Sequence, residues 1–177
     1  MRIKLKQDKD SILKIMRSED VQRKLKIIEK LDGVNEKESI KILIKTLEDQ
    51  SWVMREKAAY KLAEYGPRVS ARLTRLLKKG YWYTRASACL ALGEIGDMQT
   101  VESIIEVLLE DENPTVQKEA SSALVKLARK KPDKFSSKLG AIALDKSKLR
   151  TVLFSLERLD IELYNKVKEK VIDDRNI

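Results

Sequence analysis

The chain has 177 residues, 42% of them apolar and 37% charged, with a formal net charge of +9, one Cys and no His. That length suits one domain of about five small helical units and leaves no room for a second large one. Without His there is no imidazole base, no Ser-His or Cys-His dyad and no Cys/His zinc spacing; a lone Cys closes no internal disulfide, and no apolar run approaches a membrane span.

Met1 to Lys6 lacks the apolar core of a signal peptide and alternates as a strand would, with no sheet to join. Asp10 opens a short helix through Arg17, and Asp20 opens the next, which stops near Asp32-Gly33. Asn35 with Glu38 three residues on forms a capping box for a helix to about Glu48. Ser51 is expected to cap the helix that carries Arg55 and stops at Gly66-Pro67, where Pro67 suits the first turn of a helix through Lys79. Gly80 breaks the chain before a helix from about Trp82 to Ile95, and Gly96-Asp97 starts another ending near Glu110. Asn113-Pro114 begins a helix to about Lys130, and Lys131-Pro132-Asp133 restarts the chain toward Leu144. Two helices remain, near Lys148 to Leu159 and from Ile161 to Ile172.

One spaced pattern recurs along these helices. From anchors at Lys24, Arg55, Arg85, Gln117 and Leu149, small or apolar residues follow at three, four, seven and usually ten positions on, and the anchors lie 31, 30, 32 and 32 apart. Helical spacing inside a period near thirty predicts stacked helix pairs, each burying its stripe against its neighbours. The expected units are 10–33, 35–66, 67–96, 97–131 and 132–160, with 161–172 as a terminal helix on the stack. Cys89 falls on the buried stripe and reads as a small core residue. The high charge content with few Asn and Gln suits a thermophilic intracellular protein, and the cytoplasm is the expected location.

The segments Val53 to Gly66 and Arg85-Ala86-Ser87-Ala88-Cys89-Leu90-Ala91-Leu92-Gly93-Glu94-Ile95-Gly96-Asp97 resemble HEAT repeats. They are similar to the short class first noticed in phycocyanobilin lyases, with its V-R-x-x-A-A-x-A-L-G-x-I-G-D core. The resemblance implies an all-α, right-handed α-solenoid of about five stacked HEAT-like helix pairs, with a concave face built from the second helix of each pair. It also implies a ladder between repeats, made by an Asp in the turn and the Arg of the next helix. These roles fall on Asp49 with Arg55, while Asp111 meets Gln117 in place of Arg, and Arg85 follows Lys79 where the Asp should be. Most members are adaptors that bind proteins, and some bind nucleic acid or a chromophore.

Two constellations stand out as binding surfaces, and no residue set points to catalysis or to a cofactor. Trp52 and Trp82 each lie three before an anchor, outside the buried stripe, and with Arg55, Tyr81, Tyr83 and Arg85 they form a candidate ridge for another protein. The alternative is that the rings cover helix ends and pack on each other. Arg68, Arg72, Arg75 and Lys79 share one helix face, and Arg129, Lys130 and Lys131 follow two repeats later, with further cations at the N-terminus. These are the candidate phosphate contacts if the partner is DNA or RNA, or else an ordinary solvated face. The expected function is a non-enzymatic scaffold that binds another protein, with a nucleic-acid-binding solenoid as the alternative and no membrane involvement.

Overall fold

The computed structural model describes residues 9–31, 35–142 and 145–175. The strand-like Arg2 to Lys6 with its cations, the stop at Asp32-Gly33 and the helix end at Leu144 lie outside them. Every described element is helical, and the chain is an all-α solenoid. In chain order these are α1 (Lys9–Met16), α2 (Val21–Glu29), α3 (Glu36–Thr46), α4 (Trp52–Glu64), α5 (Ser70–Lys79), α6 (Trp82–Ile95), α7 (Val101–Glu110), α8 (Pro114–Lys130), α9 (Pro132–Ala141), α10 (Lys146–Leu159) and α11 (Ile161–Arg175). Helices α2, α4, α6, α8 and α10 pack in succession as one layer, and α5, α7, α9 and α11 follow one another in the second.

The repeat stripe is the core. Leu31, Leu62, Leu92, Leu124 and Leu156, each seven residues after an anchor, are at most 1% exposed. Burying one such side chain contributes roughly 1.5–3 kcal/mol. The residues three after the anchors, Ile27, Ala58, Ala88, Ala120 and Val152, are buried as well. The tenth position is less uniform: Leu127 is buried, whereas Leu159 is exposed at the C-terminal end of the stack.

Small residues set the spacing of the layer. Helix α6 is apolar or small on nearly every face, from Ala86 to Gly93, and is buried accordingly. A Cβ at Gly93 would lie 2.8 Å from the Cα of Ala123, so α6 and α8 approach as closely as they do because position 93 carries no side chain.

Most helix starts follow their cap signals. Asp20, Asn35, Asn113 and Asp145 each accept a hydrogen bond from a backbone N–H in the first turn of the helix that follows. Ser51 occupies the cap position of α4 without making that side-chain bond. The expected helix at Pro67 is first a 3-10 turn over Gly66–Val69, and α5 begins only at Ser70. A similar turn, Met98–Thr100, precedes α7, with Asp97 accepting from Gln99 N–H. Gly66 at φ 62° opens the first turn and Gly96 at φ 74° precedes the second, both in the left-handed region where other residues are strained. At the C-terminal end the main partner of α10 is α11, which packs on α9 too.

Candidate functional site

The turns between the two helices of the three middle repeats share one device. A helix ends with carbonyls that have no partner in the helix, and the anchor side chain of the following helix reaches back to them. Arg55 Nη1 donates to the carbonyls of Asp49 at 2.7 Å and Gln50 at 2.8 Å. Arg85 Nη1 donates to Gly80 O at 2.8 Å, and Gln117 Nε2 to Asp111 O at 2.6 Å. Asp49, Gly80 and Asp111 thus share the role of carbonyl acceptor, with Gly80 five residues before its anchor, as Gln50 is before Arg55, and Asp49 and Asp111 six before theirs, where Lys79 stands before Arg85.

The carboxylates at these positions pair with the anchor of the preceding repeat. Lys24 Nζ lies 2.6 Å from Asp49 Oδ2, and Arg85 makes a two-point bond to Asp111, Nε to Oδ2 at 2.5 Å and Nη2 to Oδ1 at 2.9 Å. The second oxygen of each carboxylate is also used within its turn: Asp49 Oδ1 accepts from Ser51 N–H and Asp111 Oδ1 from Asn113 N–H. The Arg85 hydrogen bond, followed by the Asn113 N–H, holds the Asp111 carboxyl below its ordinary pKa, and the same pair raises that of Arg85. This corrects the expected ladder. Asp49 gives Arg55 its carbonyl and gives its carboxylate to Lys24, and Arg85 does have an acid partner, Asp111, one repeat ahead. The pairs are 25 and 26 residues apart, so a cation with an Asp at that distance is the sequence signal.

Arg55 is the exception. The residue 25 positions on is Gly80, and no carboxylate among the described residues pairs with Arg55. Its guanidinium carbon lies 5.6 Å from the centre of the Trp52 ring and 4.9 Å from that of Tyr83, a cation held between two π faces. Arg55 is only 6% exposed, its Nε is buried without a hydrogen-bond partner, and burial pushes its pKa down.

The predicted aromatic residues gather around this cation. Tyr81 stacks on Tyr83 at 5.3 Å, and Trp82 meets Tyr83 edge-on at 5.6 Å. Trp52 and Trp82 are thus joined through Arg55 and Tyr83. Tyr81 is 66% exposed, Trp82 45% and Trp52 42%, so three large rings face solvent along one edge of the stack. A groove of about 400 Å³ opens beside them, bounded by Met16 and Arg17, by Ile42, Lys45 and Thr46 of α3, by Glu48 and Asp49 after it, and by Tyr81.

The predicted basic residues divide into paired and unpaired sets. Arg68 bonds both oxygens of Glu36, Arg129 pairs with Asp160 at 2.7 Å, and Lys130 donates to the carbonyl of Glu94. Lys78, beside the predicted set, lies 3.3 Å from Glu106. Arg72, Arg75, Lys79 and Lys131 are exposed and form no ion pair within the described part of the chain. Among the described residues no helix is long and apolar enough to cross a membrane, and no group of three or more His, Cys, Asp and Glu could hold a metal ion.

No curated protein matches this chain. Among solved structures it is similar to a designed armadillo repeat protein in complex with the peptide (KR)4, at 15% identity and TM-score 0.40 over 93% of this chain and 88% of that one. It is also similar to an engineered protein at 15% identity and TM-score 0.45, over 94% of this chain and 95% of that one. The family model for HEAT repeats matches residues 69–156, which span α5 to α9 and most of α10. With that match over the central helix pairs, the chain carries HEAT repeats.

Proposed function

We propose that this protein is a non-enzymatic HEAT-repeat scaffold that binds another protein along the edge formed by Trp52, Arg55, Tyr81, Trp82, Tyr83 and Arg85. The observation that carries this reading is the exposure of Tyr81, Trp82 and Trp52 side by side around a buried arginine. Aromatic residues and Arg dominate binding hot spots because they offer large, stiff contact area with a polar handle. Repeat scaffolds of this kind are typically non-enzymatic.

A random dodecapeptide library displayed on phage tests it. Peptides should be enriched on the wild-type protein and lost on the double variant Trp52→Ala/Trp82→Ala, with affinity lowered at least tenfold for a synthetic peptide from the enriched set. Enrichment that is the same on both proteins overturns the ridge as the binding surface.

Nucleic-acid binding is the second reading, favoured by the exposed and unpaired Arg72, Arg75 and Lys79 on α5. It is the weaker one, because Glu36, Asp160 and Glu106 already neutralise Arg68, Arg129 and Lys78. An anisotropy titration against labelled duplex DNA, single-stranded DNA and RNA decides it: micromolar binding that survives physiological salt and falls on Arg72→Glu/Arg75→Glu would make nucleic acid the partner.

A further inference from the structure

Arg55 is built like its neighbours in the ladder and satisfied unlike them. Each of the other cationic anchors in the ladder, Lys24 and Arg85, meets a carboxylate of the following repeat, Asp49 or Asp111. The corresponding turn of the repeat after Arg55 holds Lys79 and Gly80, the latter bonded through its carbonyl to the next anchor, and neither has a carboxylate to offer. A guanidinium has five N–H donors and is not deprotonated, so burying one without a carboxylate leaves charge and donors uncompensated. Two carbonyls take Nη1, the faces of Trp52 and Tyr83 take part of the charge, and Nε takes nothing.

We propose that the Arg55 rung is completed by the binding partner: the ridge recognises an acidic peptide segment whose Asp or Glu carboxylate pairs with Arg55 while neighbouring apolar side chains lie on Trp52, Tyr81 and Trp82. This rests on the protein-binding reading above and names the chemistry of its partner. Three observations on the molecule agree with that choice. The chain carries a formal net charge of +9, which draws acidic segments toward it. The exposed rings supply apolar contact on both sides of the cation. The groove between Asp49 and Tyr81 borders both the carbonyl that holds Arg55 and the ring that stacks on Tyr83, and it gives an extended segment a place to continue. Asp49, whose charge acts on Arg55, is ion-paired with Lys24.

The fold supplies the variants. Gln117 shows that Gln at an anchor still bonds the turn carbonyl, so Arg55→Gln removes the charge and keeps the staple. Lys24 shows that Lys at an anchor still pairs with an acid, so Arg55→Lys keeps the charge. The phage library is selected on the wild type, on Arg55→Gln, on Arg55→Lys and on Trp52→Ala/Trp82→Ala. Enriched wild-type sequences should be rich in Asp and Glu beside apolar residues, a bias that Arg55→Lys retains in part and Arg55→Gln loses. Neutral or basic enriched sequences, or an acidic bias that persists on Arg55→Gln, overturn the inference and leave the ridge standing. Enrichment independent of Trp52 and Trp82 removes the ridge and the inference together. A titration on the unaltered protein completes the test, since its two Trp residues both lie on the ridge and report binding by their emission. A synthetic enriched peptide should bind at least tenfold more tightly than its counterpart with every Glu and Asp replaced by Gln and Asn, and equal affinity overturns the inference.

Discussion

The Arg85 and Arg55 rungs begin from the same residue at the same repeat position and end with opposite surroundings. Arg85 is shared between two repeats: its Nη1 holds the turn at Gly80, and its other nitrogens hold Asp111 of the next repeat. Arg55 holds only its own turn and is otherwise enclosed by aromatic rings. The difference follows from the turn of the repeat ahead, which offers Asp111 in one case and Lys79-Gly80, with no carboxylate, in the other. A stacked repeat can thus commit an anchor to its own fold or leave its charge for something else, with no change in the helix that carries it.

The comparison breaks most visibly where the complete rung is damaged. Asp111→Ala strips Arg85 of its acid and Asn113 N–H of its acceptor, and we expect a loss of about 2–3 kcal/mol, or roughly 4–12 °C in Tm for a chain of this length. Thermal melts followed by circular dichroism check it, and a shift under 2 °C would mean the pair holds nothing together. The same pair gives a pH signature. The folded-state pKa of Asp111 is depressed, so its stabilisation is complete above the unfolded value of about 3.9 and is lost as pH falls through the folded one. The stabilities of wild type and Asp111→Ala should therefore begin to converge as pH falls below about 4 and meet once it has passed the lower, folded-state value.

A smaller effect belongs to the seam on which the Arg85 rung stands. Gly93→Ala places a methyl 2.8 Å from the backbone of Ala123. Overpacking costs about 1–3 kcal/mol and alanine regains about 1 kcal/mol of helix propensity, leaving a net loss of up to about 2 kcal/mol in a denaturant titration. Arg55→Gln should cost less than about 1 kcal/mol, since the carbonyl bond survives and an under-compensated buried charge is removed. If it costs as much as Arg85→Gln, the two rungs are equally structural and the contrast between them fails. Smallest of all, Arg68→Ala removes an exposed pair with Glu36 and should change stability by no more than about 0.5 kcal/mol.

The helices and the stripe were legible because one signal repeats five times. The run from Trp82 to Ile95 is bounded by Gly80 and Gly96, and both its ends fall where the glycines put them. Residues seven after each anchor are core because a period near thirty carries the same face to the same interface in every copy. What escaped was pairing across repeats. Asp49 lies six residues before Arg55, which is near enough in sequence to suggest a pair, yet the contact made at that distance is to its carbonyl. The acid's true partner depends on how far one repeat is displaced along the stack, a quantity set by packing rather than by local spacing. The ridge was legible as exposed aromatics in register, whereas the bridging role of Tyr83 depended on its ring turning inward onto Arg55.

Cys89, the lone thiol, sits fully buried in α6, the helix that presses against α8, and burial raises its pKa, so the reactive thiolate is suppressed while the helices stay together. Its modification by a thiol reagent therefore requires the packing around α6 to open, and the labelling rate is a clock for the opening. Run with and without a bound peptide, that clock reads whether occupying the edge of the stack stiffens its middle.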